Sequence, residues 1–169
     1  MGSVKLLPKG KRLMRTLVAL VGAVILFGVL AAAEDPASSS CTFSDDNQVT
    51  IQYSRAVKED PRNGKVWAPG ATLYVQTPLT LGGTTLALGA YSVYFIPEKK
   101  HWTIIVNRNV TAGAPYDAAQ DVARAQMDLG ELPSLQKELQ LTFGHMSPKL
   151  CNLRVSYQKT GAFTDFLEK

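Results

Sequence analysis

Residues 86–106 read LALGAYSVYFIPEKKHWTIIV, two runs of apolar, β-branched and aromatic residues separated by a short charged break. In the first run Tyr91, Val93 and Phe95 share one face and Ser92, Tyr94 and Ile96 the other. That period of two marks a β-strand with both faces partly covered. Pro97-Glu98-Lys99-Lys100 then interrupts the ladder, because proline has no N–H to contribute. The stretch is expected to form a β-hairpin.

The same alternation recurs on both sides of it. Cys41 and Phe43 begin a short strand, Asp45-Asp46-Asn47 is a turn, and Val49, Ile51 and Tyr53 alternate with Gln48, Thr50 and Gln52. Residues 55–64 are charged and broken by Pro61 and Asn63-Gly64, as in a surface loop. Val66-Trp67 leads into a Pro69-Gly70 corner, after which Leu73 and Val75 alternate with Thr72, Tyr74 and Gln76. Gly82-Gly83 supplies a tight turn between residues 79–81 and 84–88. Residues 110–119, with Gly113 and Pro115, have no period and read as loop. Residues 121–129 satisfy neither the helical nor the strand template cleanly; they are read as a strand with Ala123, Ala125 and Met127 inward. Leu139, Leu141 and Phe143, then residues 150–157 and 162–166, supply further short strands. Short strands at this spacing predict an all-β fold, a β-sandwich or jelly-roll-like barrel of short antiparallel strands forming a single domain over residues 41–169, with little helix.

The N-terminus follows a different pattern. Lys5, Lys9, Lys11, Arg12 and Arg15 precede an unbroken apolar run over residues 16–30, and Ala31-Ala32-Ala33 offers the small residues of a signal-peptidase site. Residues 1–33 are read as a signal peptide cleaved after Ala33; the alternative is an uncleaved anchor, which would be the only contact with a membrane. Residues 34–40, with Pro36 and a serine run, are expected to be a mobile linker. The segment changes the charge balance. The whole chain carries +4, but residues 1–33 hold five of its eighteen Lys and Arg and none of its fourteen Asp and Glu, leaving thirteen against fourteen and a net charge of −1. A nucleic-acid partner loses its electrostatic support. The expected location is periplasmic or extracellular.

In an oxidising compartment an even pair of cysteines is more often bridged than free. Cys41 alternates with Phe43, and Cys151 with Leu153, Val155 and Tyr157, so each thiol points with the apolar residues of its strand. A Cys41–Cys151 disulfide is expected, the alternative being two buried free thiols.

Candidate chemistry is sparse. His101 and His145 are the only histidines and, with the cysteines bridged, would need a carboxylate such as Asp121 to make a metal site; the alternative is two surface or strand-end histidines. No G-x-S-x-G elbow is present. Asp45-Asp46 has the chemistry for acid–base work or calcium, but adjacent aspartates in a turn are commonly solvated turn formers. Trp67, Tyr74, Tyr91, Tyr94, Trp102 and Tyr116 are numerous enough that some would have to stack on a ligand or cross-pair in the sheet. Trp67, entering the corner from a charged loop, is expected to be structural. Asp121 and Arg124 suggest a site pair, yet on a regular strand residues three apart lie on opposite faces. The residues carried forward as ligand-facing candidates are Trp67, Trp102, Asp121 and Arg124. No catalytic residue, metal or cofactor is assigned.

Gly64-Lys65-Val66-Trp67, Gly89-Ala90-Tyr91-Ser92 and residues 102–107, together with Tyr53-Ser54-Arg55, the Gly82-Gly83 turn, residues 116–127 and the cysteine pair, resemble the bacterial exported family called domain of unknown function 2911. The likeness covers nearly all of the chain after the signal and implies the compartment and fold more than a function. One departure is local: the family's corner Trp is followed by Arg-Thr-Gly-Ala-Asn-Glu, whereas Trp67 is followed by Ala68-Pro69-Gly70-Ala71-Thr72-Leu73, so a site built from that Arg, Asn and Glu is missing here. The reading that follows is an exported module binding a small ligand or an envelope protein. The alternative is a hydrolase or sugar-acting enzyme, which would require at least three of Asp45, Asp46, His101, Asp121, Arg124 and His145 to converge.

Overall fold

A computed structural model describes Gly2 and residues 36–169. The signal-segment reading, apart from Gly2, therefore lies outside the described residues. Nine strands form one antiparallel sheet: β1 (Ala37–Thr42), β2 (Gln48–Tyr53), β3 (Trp67–Val75), β4 (Leu79–Leu81), β5 (Thr84–Leu86), β6 (Gly89–Pro97), β7 (Trp102–Asn107), β8 (Asp121–Ser147) and β9 (Leu150–Glu168). Their spatial order is β1-β2-β3-β6-β7-β8-β9-β4-β5. The only helical element among the described residues is a single 3-10 turn, Ala118–Gln120.

The expected hairpin is present as β6 and β7, with Pro97 opposite Trp102 and the charged break at its tip. Alternation decides which residues face inward. Val49, Ile51, Leu73, Phe95, Ile104 and Met127 are fully buried, and Ala123 and Ala125 nearly so, which bears out the strand reading of residues 121–129.

One hydrophobic cluster takes side chains from β1, β2, β3, β6 and β7 and also from β4, β8 and β9. The sheet therefore folds over on itself. Residues 121–127 of β8 pair with β7, and the remainder pairs with β9, so one strand belongs to both walls. At the other margin β1 returns to the far wall: Phe143 N–H donates to Ser39 Oγ at 2.9 Å, and Cys41 is bonded to Cys151. The β4–β5 turn closes against β8, where Gly82, at φ +55°, has no room for a side chain. A Cβ there would lie 2.6 Å from that of Ala125.

Three sequence expectations need correction. Residues 37–40 belong to β1 rather than to a linker, because Ser38, Ser39 and Ser40 continue the ladder with Gln52, Ile51 and Thr50. The four short strands expected over residues 121–166 are two long ones, of 27 and 19 residues. Their lost alternation reflects bulges, not breaks: residues 131–136 face only residues 158–160, residues 136–140 face only 156–158, and Gln158 adopts φ +55°. The Pro69-Gly70 corner is likewise a bulge inside β3, where residues 67–71 face only residues 93–95.

The disulfide closes 110 residues of sequence, which on the chain-entropy model is worth about 5 kcal/mol. Replacing both cysteines by Ala is expected to lower the unfolding free energy by about that amount, and with it the urea midpoint, with the fold retained. An unchanged midpoint would mean that β1 is held to β9 by packing alone.

Candidate functional site

Beyond Asn107 the chain loops back over the outer face of the sheet. Tyr94 and Ile105 point outward, away from the main cluster, yet both are buried. Tyr116 covers Tyr94 edge-on, with ring centroids 4.9 Å apart.

Asp121 pins this loop. Its carboxylate accepts four hydrogen bonds: from Tyr116 Oη at 2.7 Å, from Arg124 Nε and Nη2 at 2.9 and 2.6 Å, and from Asn107 Nδ2 at 2.7 Å. Arg124 Nη2 also donates to Tyr116 Oη at 2.7 Å. Fully buried Asn107 donates again to the carbonyl of Asp117 and accepts from Asn109 N–H, and Ser92 Oγ donates to the carbonyl of Asn109.

Asp121 and Arg124 meet because of a bulge. Val106 is opposite Ala123 but Asn107 is opposite Asp121, so Val122 is an extra residue that shifts the phase of the strand. Without it the two side chains would emerge on opposite faces. Burial first, and then the bond to Asp121, push the Tyr116 phenol from 10.0 up to about 12. The stability Tyr116 contributes is intact below pH 10 and is lost as pH rises through about 12.

Trp67 and Trp102 are interior residues, 4% and 5% exposed. Trp67 packs against Phe95, Trp102 and Tyr157 with centroids 6.0, 5.9 and 5.5 Å away. Its Nε1–H donates to the carbonyl of Glu59 at 2.8 Å, and Tyr157 Oη donates to Asp60 at 2.6 Å, fastening the 55–64 loop over the indole. The edge of Trp67 lines a surface hollow of about 500 Å³, but its faces are occupied.

The other sequence candidates lie apart. His101 pairs with Glu98 at the hairpin tip, and His145 is exposed opposite Cys151. Asp45 accepts from Asn47 N–H and Nδ2, and these bonds hold its carboxyl below the ordinary range. Of the six polar residues considered, the structure joins Asp121 to Arg124 and gathers no third. Among the described residues no group of three His, Cys, Asp or Glu side chains is placed to hold a metal ion.

Sequence reasoning missed a concavity of about 480 Å³ between the C-terminal end of β2, the bulged stretch of β3 and the interior of β8. Gln52, Tyr53, Arg55, Gly70, Thr72 and Glu138 line it. The β3 bulge opens it, with Gly70 at φ +74° and empty space where a side chain would be. The amide of Leu139 donates to the carbonyl of Arg55 at 2.9 Å and brings Glu138 to the rim. Among the described residues, Arg55 and Glu138 enter no ion pair, and the side chains of Gln52 and Thr72 make no hydrogen bond. The sequence signal was weak, since outward Gln52 and Thr72 read as ordinary solvent-facing strand positions.

A family model described as "Protein of unknown function (DUF2911)" matches residues 35–165. No curated protein and no solved structure matches the chain.

Asp121→Ala is expected to cost about 2 kcal/mol, the value of losing charge-assisted bonds to a half-exposed arginine. It should also lower the Tyr116 pKa from about 12 part of the way toward 10.0, because burial remains. Spectrophotometric tyrosine titration reads the shift. A Tyr116 pKa unchanged in the variant would remove Asp121 as the anchor of the loop.

Proposed function

The chain belongs to the DUF2911 family of proteins of unknown function, and from that premise we propose that it is an exported binding module of the cell envelope. Its ligand is a small polar molecule or the polar end of a partner, held in the concavity between the C-terminal end of β2, the bulged stretch of β3 and the interior of β8. The observation that carries this reading is the uncommitted lining. A guanidinium, a carboxylate, an amide and a hydroxyl face one space of about 480 Å³, within the range of small-molecule sites, and none is used by the fold among the described residues. This contrasts with Asp121 and Arg124, whose polar atoms are spent on each other and on Tyr116.

Export is supported by the basic and apolar N-terminal sequence ending in Ala31-Ala32-Ala33 and by the Cys41–Cys151 disulfide, which suits an oxidising compartment. Among the described residues no helix is long and apolar enough to cross a membrane. The hydrolase reading would need an acid and a base converging on one bond, whereas the carboxylate best placed on the outer face, Asp121, already accepts four hydrogen bonds.

The test is amide chemical-shift mapping with a panel of amino acids, dipeptides and monosaccharides. Saturable shifts are expected at Gln52, Arg55, Thr72 and Glu138, absent in the Arg55→Ala/Glu138→Ala double variant. Shifts mapping only to the Trp67 hollow or the Asp121 network would refute the assignment, as would turnover of any panel member.

A further inference from the structure

Glu168 occupies an inward position of β9, two residues after fully buried Phe166, and is itself 5% exposed. Its Oε1 is buried with no hydrogen-bond donor. Three segments close around it. Ser44, in the β1–β2 turn, donates from its N–H to the carbonyl of Pro148 at 3.0 Å. In the β8–β9 turn the carbonyl of Lys149 accepts from Glu168 N–H at 2.8 Å, and just before β4 the carbonyl of Pro78 accepts from Lys169 N–H at 3.0 Å. Each segment carries one side chain whose charge or hydrogen bonding acts on the carboxyl: Asp45, Lys149 and Thr77. Asp46 and Lys169, their sequence neighbours, are exposed.

A buried carboxylate without a donor is costly, and a second carboxylate beside it makes ionising both costlier still. Asp45 is the member that stays charged, since Asn47 donates twice to it. We propose that Glu168 keeps its proton and donates it to Asp45, and that this shared proton is a pH-sensitive latch on the end of the folded sheet where the C-terminal end of β9 is held.

The latch is closed while Glu168 holds its proton. Burial, then the Asp45 charge and hydrogen bond, hold the Glu168 carboxyl above its ordinary value of 4.5, against the opposing pull of Lys149 and Thr77. For a carboxyl shifted upward, the stability is fully present below the unfolded value and is lost as pH rises through the folded one. Ionisation then sets two anions side by side, with the ammonium of Lys149 as partial compensation, and the bonds of Ser44, Glu168 and Lys169 loosen together. This device is independent of what the concavity binds.

The experiment is carbon-detected titration of the Glu168 carboxyl combined with hydrogen exchange at the amides of Ser44, Glu168 and Lys169, in the wild type, in Glu168→Gln, and in the wild type with calcium chloride. Glu168 is expected to titrate above its ordinary value. Protection at the three amides, corrected for intrinsic exchange, should fall about tenfold per pH unit between the ordinary and the raised value and then level off. In Glu168→Gln, which keeps a neutral donor toward Asp45, protection should not change over that window. A Glu168 titration in or below the ordinary range, or the same pH dependence in the variant, overturns the latch. Protection restored by calcium at pH above the raised value in the wild type but not in the variant also overturns it, replacing the proton by a bridging cation.

Discussion

A single strand shared by two walls is the constraint on which this molecule depends. β8 leaves β7 after Met127 and continues as the partner of β9, so the inward residues of its two halves, Ala123, Ala125 and Met127 and then Leu139 and Leu141, enter one core from opposite sides. A regular ladder of 27 residues would carry the sheet straight past that core. The bulges over residues 131–140, where Gln136 alone keeps a ladder partner between Glu131 and Gln140, and the left-handed Gln158 let the paired strands turn. The disulfide secures the same closure from the other margin, tying β1 to the strand that β8 brings across.

Both the internal anchors and the concavity follow from irregularities in otherwise regular strands. The extra residue Val122 turns Asp121 toward Arg124 and Tyr116, which fastens a long loop over Tyr94 and Ile105. The irregularity at Ala68-Pro69-Gly70 interrupts the pairing of β3 with β6, and Gly70 lines the polar concavity. In the first case the polar groups satisfy one another; in the second they do not. That difference separates a structural network from a binding surface more surely than the identity of the residues, since each contains an arginine and a carboxylate.

Where alternation was strict the fold was legible. Val49, Ile51 and Tyr53, the β6–β7 hairpin and the pairing of Cys41 with Cys151 all followed from a period of two and a compartment argument. Trp67 between a charged loop and Pro-Gly also read correctly as a buried anchor. What alternation cannot reveal is a phase change. Each bulge moves a residue to the other face without altering composition, so Asp121 and Arg124 read as opposed, β8 and β9 each read as two strands, and the concavity was invisible. Glu168 was legible in principle, as a polar residue in the inward series of Phe166. A serine run looked like linker because Ser38, Ser39 and Ser40 have little strand propensity; the ladder with β2 overrides it.

The central claim, that β8 binds both walls into one cooperative core, is tested most directly by native-state hydrogen exchange of its two inward segments, residues 123–127 and 139–141. If one core is shared, both sets of amides should exchange only through the same opening, with equal opening free energies and equal denaturant dependence. Two distinct opening free energies, with residues 139–141 released while residues 123–127 stay protected, would contradict the account and divide the protein into two separately stable walls.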